Sequence, residues 1–111
     1  MNPDTVWAVV VLYGCKVQLF HHKPTAEELH FVVGGWIEAI PLYDPQAGAA
    51  IGYINEEGKI LQMPENDEAT KLYGNPHDWI AGPMVILGPP DSEGEDTPIP
   101  PGWLEKLSIS A

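Results

Sequence analysis

The first apolar run of the chain, Val6 to Tyr13, shows no alternation with polar residues. Val6, Ala8, Val10 and Leu12 fall on one face of an extended segment and Trp7, Val9, Val11 and Tyr13 on the other, so this strand belongs inside a sheet covered on both sides. Gly14 supplies a turn. In the following CKVQLFHH, Val17 and Leu19 alternate with Lys16 and Gln18, the pattern of a half-buried strand returning beside the first.

The period then changes. PTAEELHFVVGG carries a capping box, Thr25 with Glu28, and an apolar face of Leu29, Val32 and Val33; Gly34 can adopt the left-handed conformation that ends the helix. WIEAIPLYD reads as a strand that Pro41 restricts to a sheet edge or a bulge. DPQAG is a loop and AAIGYIN a further strand. Asn55 to Gly58 is expected to turn into a hairpin partner that includes Ile60, Leu61 and Met63, and Pro64 breaks that strand. Asn66 is placed to cap a second helix, with Asp67 and Glu68 in its first turn, Ala69, Leu72 and Tyr73 on its buried face and Gly74 at its end. After the turn GNPHD, Trp79 to Gly88 forms the last strand, kinked at Gly82-Pro83.

These elements give the order β-β-α-β-β-β-α-β and an α+β fold: an antiparallel or mixed sheet of five to six strands with two short helices on one face. Residues 1–88 are read as one domain. From Pro89 the composition shifts to Pro and acid, so 89–111 is read as a Pro-rich acidic C-terminal extension, a partly mobile connector followed by a short segment. In that segment Trp103, Leu104 and Leu107 can line one face of a helix that packs back on the domain or meets a partner.

Charge narrows the partners. Sixteen acidic residues against five lysines and no arginine leave a formal charge of -11, which opposes direct binding of nucleic acid or anionic lipid. Cys15 is a lone cysteine in a probable turn, with only Lys16 adjoining it, and neither a disulfide nor a nucleophile is arguable there. Val6–Tyr13 is too short to span a bilayer and lacks a basic segment before it. The expectation is a cytoplasmic protein without a membrane segment.

GGWIEAIPL, YINEEGKILQMPENDEATKLYG and DWIAGPMVILG together resemble the domain of unknown function 3846 family, small proteins of phages, plasmids and bacteria. The resemblance rests on Gly35 with Ile37-Glu38, on Asn55-Glu56-Glu57-Gly58, on Pro64 with Asn66 and Ala69, and on Asp78 with Ile80, Gly82 and Gly88. It covers roughly residues 27–88. Met63 stands before Pro64 where the family usually has Leu-Pro, a volume-conserving change. The resemblance implies a fold and a mobile-element setting, and it supplies no catalytic residues.

Candidate chemistry concentrates between Tyr53 and Gly82. His77-Asp78 is the best acid/base pair by proximity, although Asp78 in a backbone-bonded turn explains it more simply. Glu38 shares a strand face with Trp36, Ile40 and Leu42, so it needs an exposed edge, a partner or a pocket. His21, His22, His30 and His77 have no ligand spacing, and neither a metal nor a cofactor is expected. A ligand-binding pocket is therefore sought at Trp36, Glu38, Tyr53, Asn66, His77 and Asp78.

Three functional readings follow. The preferred one is a small non-enzymatic binding module of phage or plasmid ancestry that occupies a protein or a small ligand. A small hydrolytic or isomerising enzyme requires His77 and Asp78 to converge with Glu38 or Asn66. The third is an acidic mimic of nucleic acid or a self-associating structural module, a homo-oligomer pairing through Val6–Tyr13 and Trp103–Leu107. Five of the acids, Asp91 to Glu105, lie in or beyond the connector, which leaves the folded part less extreme in charge than the total.

Overall fold

A computed structural model describes residues 5–108. Its elements in chain order are β1 (Ala8–Val11), β2 (Val17–Phe20), α1 (Ala26–Val33), β3 (Ile37–Asp44), β4 (Gly48–Asn55), α2 (Asp67–Tyr73), β5 (Met84–Leu87) and α3 (Pro101–Lys106). The five strands form one antiparallel sheet in the order β2-β1-β5-β4-β3. The α+β class is as the residue pattern indicates. Pro41 lies in β3, at the sheet edge, where the missing N–H costs no ladder bond.

Every residue of β1 and β5 is buried, and their side chains alternate between two cores. Val9, Val11, Met84 and Ile86 face Ala69 and Leu72 of α2 and Trp103 and Leu104 of α3. Ala8, Val10, Val85 and Leu87 face Leu29 and Val33 of α1. The helices therefore cover both faces rather than one. Two central strands apolar on both sides demand cover on both sides, so placing both short helices on one face contradicts the pattern of β1 itself.

Local signals in the helices are realised. Thr25 accepts from the Glu28 backbone N–H (3.1 Å) while the Glu28 carboxylate accepts from the Thr25 N–H (3.0 Å), and Gly34 ends α1 at φ 84°. A Tyr13–Cys15 turn of 3-10 type, with Gly14 at φ 67°, links β1 to β2; the Cys15 side chain lies outside the described residues. Val17 and Leu19 are exposed rather than half-buried, because β2 is the other edge of the sheet.

The sixth strand, expected through Ile60–Met63, does not form. β4 is already flanked by β3 and β5, so a returning strand finds no free edge there. Instead the chain keeps turning: Leu61 N–H donates to Glu57 (2.8 Å), Gln62 to Lys59 (3.1 Å) and Met63 to Gly58 (2.9 Å), with Gln62 at φ 58°. The last strand is also shorter than Trp79–Gly88, since only Met84–Leu87 runs in the ladder and Ala81 and Gly88 make isolated bridges.

Residues 97–107 are held on the domain rather than running on as a mobile connector, while 89–95 are exposed. Gly88 N–H donates to Thr97 (2.9 Å), Ile99 N–H to Trp7 (2.9 Å) and Trp103 Nε1 to Gly48 (3.1 Å), and Lys106 pairs with Asp44 (2.9 Å). The Trp103 side chain is fully buried. Four apolar residues spaced through a Pro-rich segment, Ile99, Trp103, Leu104 and Leu107, suffice to hold it. No helix among the described residues is long and apolar enough to cross a membrane.

Candidate functional site

On the face of the sheet that carries α2, beside β3 and β4, lies a pocket of about 300 Å³. Ile40, Ile54 and Ile80 give it apolar walls, Tyr73 and Trp79 add aromatic ones, and Glu38, Glu56, Lys59 and Asp78 supply charge. It is lined from β3 and β4, from the turning segment after Asn55 and from the segment leading to β5.

Two buried asparagines fix these pieces. Asn55 Nδ2 donates to the Val33 carbonyl (3.1 Å) and its Oδ1 accepts from Glu57 N–H (2.8 Å), which ties the turn to the end of α1. Gly58 lies so close to the next segment that a Cβ there would meet the Ala81 carbonyl at 2.7 Å. Across the pocket, Asn66 N–H donates to Ile80 (2.8 Å), Ile80 N–H to Thr70 Oγ1 (2.9 Å) and Gly82 N–H to Pro64 (3.0 Å), so α2 holds the 80–82 backbone.

Lys59 ion-pairs with Asp78 and lies 4.8 Å from the centre of the Trp79 ring, a cation–π geometry. Asp78 Oδ1 also accepts from the Trp79 N–H at 2.8 Å. The Lys59 ammonium and then that N–H hold the Asp78 carboxyl below the usual carboxylate range. Glu38 differs: it is exposed at the sheet edge and has no hydrogen-bond or ion-pair partner among the described residues.

Of the six residues marked from sequence, the fold brings Glu38 and Asp78 together at this pocket and separates the rest. Trp36 is 67 % exposed and packs edge to face on His30, 5.1 Å between ring centres. Tyr53 belongs to the core on the α1 side, where its hydroxyl donates to Asp96 Oδ1 at 2.6 Å. Burial and then that carboxylate raise the Tyr53 phenol well above its ordinary value. Asn66 is 1 % exposed and wholly used: Oδ1 accepts from Ala69 N–H (3.1 Å), and Nδ2 donates to Val11 (3.0 Å) and Gly82 (3.1 Å). His77 is exposed in a turn made by Asn75 Oδ1, 2.9 Å from the His77 N–H, and does not line the pocket.

The grouping of His77 and Asp78 with Glu38 or Asn66 is thus not assembled. Among the described residues no three histidine, cysteine or carboxylate side chains are placed to hold a metal ion. His22 instead pairs with Glu28 at 2.9 Å, and His21 Nδ1 lies 3.2 Å from the Thr5 carbonyl. Val6, Ala8–Val11, Trp103 and Leu104, expected to mediate self-association, are buried within their own chain.

Sequence reasoning missed Lys59, Tyr73, Trp79 and Ile60, having placed them in a hairpin turn, a helix face and two strands. The available signal was compositional: Lys59 and Trp79 flank the same apolar corner as Asp78, and lysine is scarce in this chain.

In comparison with known proteins, residues 12–108 match the model of a family described as a domain of unknown function, DUF3846. The match extends beyond residues 27–88 at both ends and takes in most of the Pro-rich segment. No curated protein and no solved structure gives a match.

Proposed function

The chain belongs to the DUF3846 family, and from that premise we propose that it is a small non-enzymatic binding module whose site is the pocket beside Trp79. The observation that carries this reading is the composition of the pocket wall. Glu38, a carboxylate with no partner among the described residues, lines the pocket with Ile40, Ile54 and Ile80 and with an indole at the rim, so specific polar groups sit among apolar ones. Such a mixture suits recognition. His77 does not join Asp78 in this lining, which favours binding over an enzyme built on His77 and Asp78. At about 300 Å³ the cavity is at the small end of ligand sites, roughly 300–1,000 Å³, and fits one side chain or a fragment-sized molecule. A phage or plasmid ancestry belongs to the same proposal and rests on the sequence resemblance.

Native mass spectrometry of the protein taken from its own cells tests the reading. A retained ligand or partner in the wild type, lost in a folded Trp79→Ala variant, is expected. A bare chain in both samples, or equal retention in both, would overturn it.

A further inference from the structure

We infer that the pocket takes the guanidinium group of an arginine side chain presented by a partner protein, and that Lys59 holds the place of that cation in the free chain. The inference rests on reading the pocket as a binding site, and it names the occupant.

Three carboxylates, Glu38, Glu56 and Asp78, face this small cavity against one ammonium, Lys59. The ammonium already shows how the wall treats a cation. It is held by Asp78 on one side and by the Trp79 ring, 4.8 Å from its centre, on the other. Lys59 reaches this position from the turn after Asn55, and its own side chain is exposed to solvent. Glu38 remains unpaired among the described residues when Lys59 is in place. A cation that takes the place of Lys59 therefore has a further carboxylate to engage, and a planar one can stack on the indole while pairing with a carboxylate through two parallel N–H donors.

The rim indicates where that cation comes from. Of the lining residues, Ile60 is 77 % exposed and Trp79 40 %. An apolar rim around a charged pocket is what a protein surface buries around a central arginine, whereas a free cation would leave it in water. The chain's formal charge of -11 steers a basic partner towards it.

Lys59 and the arginine compete for Asp78 and Trp79, which fixes the sign of the test. The full-length chain, labelled with ¹⁵N, is titrated with Nα-acetyl-arginine N-methylamide and with its neutral citrulline counterpart, and the Trp79 indole and the Gly58 and Ala81 amides are followed. The arginine compound is expected to give saturable shifts there, with citrulline about tenfold weaker. Lys59→Ala should tighten arginine binding roughly three- to tenfold, and Glu38→Gln should weaken it by about tenfold, both with native spectral dispersion. Citrulline binding equal to arginine, or weaker arginine binding in Lys59→Ala, overturns the inference and leaves the pocket as a site for another ligand. If neither compound moves these signals, while native mass spectrometry finds a partner that Trp79→Ala still retains, both the inference and the binding site fall.

Discussion

Replacing Asn66 with alanine removes an N-cap and leaves the Val11 and Gly82 carbonyls without their side-chain donor in a position 1 % exposed. Loss of a cap and of buried partners together is expected to destabilise the chain by about 3 kcal/mol, read as the shift of a urea midpoint at unchanged slope. A change under about 0.5 kcal/mol would mean that these bonds do not hold the 80–82 backbone. Tyr53 gives a prediction in pH. Its phenol is raised by burial and by Asp96, so the folded pKa exceeds the unfolded value of about 10. The stabilisation from this group is then fully present below about pH 10 and lost as pH rises through the folded value. Tyr13 is raised by burial too, so absorbance titration should show a late-ionising phase that shrinks by one tyrosine in Tyr53→Phe; a late phase unchanged in Tyr53→Phe would contradict the Tyr53–Asp96 contact. Asp78 runs the other way. Its depressed carboxyl contributes above the ordinary carboxylate range and loses that contribution as pH falls through the lowered value.

Among the elements, α3 is six residues long and cannot persist alone, so its stability comes from Trp103 seated against the sheet. Trp103→Ala is expected to cost about 3–5 kcal/mol and to release residues 95–108, seen as fast amide exchange there while β1 and β5 stay protected. Slow exchange in that segment after the substitution would show that the Gly88–Thr97 and Ile99–Trp7 bonds hold it without the indole. The same contrast marks what the chain's pattern reveals. Thr25-x-x-Glu28, Gly34, the Asn66 cap on Ala69 and Gly74 act within a few residues of themselves, and α1 and α2 are legible from them. Whether Ile60–Met63 could pair depended on a distant fact, that β5 occupies the second edge of β4. Likewise, Pro and acid after Gly88 describe a segment's local preference, while the burial of Ile99, Trp103 and Leu104 depends on the hollow beneath them. The pocket was half legible for the same reason. Glu38 stood out because a carboxylate in an apolar strand row needs an explanation. Lys59 and Trp79 meet only because the turn and the 78–81 segment are packed together through Gly58 and Ala81.

For the molecule as a whole, the sheet's two faces are covered differently. The α1 face is closed by Leu29 and Val33, with the edge of β3 presenting exposed Ala39 on that side. The opposite face, beside α2, carries the pocket with Ile60 and Trp79 at its rim and Glu38 without a partner among the described residues, and it is there that partner binding is proposed. The most direct measurement is photocrosslinking in the cells of origin, with a photoreactive amino acid placed at position 60 on the pocket rim or at position 39 on the other face. A discrete adduct from position 60 and none from position 39 is expected. Equal adducts from both positions, or an adduct from position 39 alone, would contradict it.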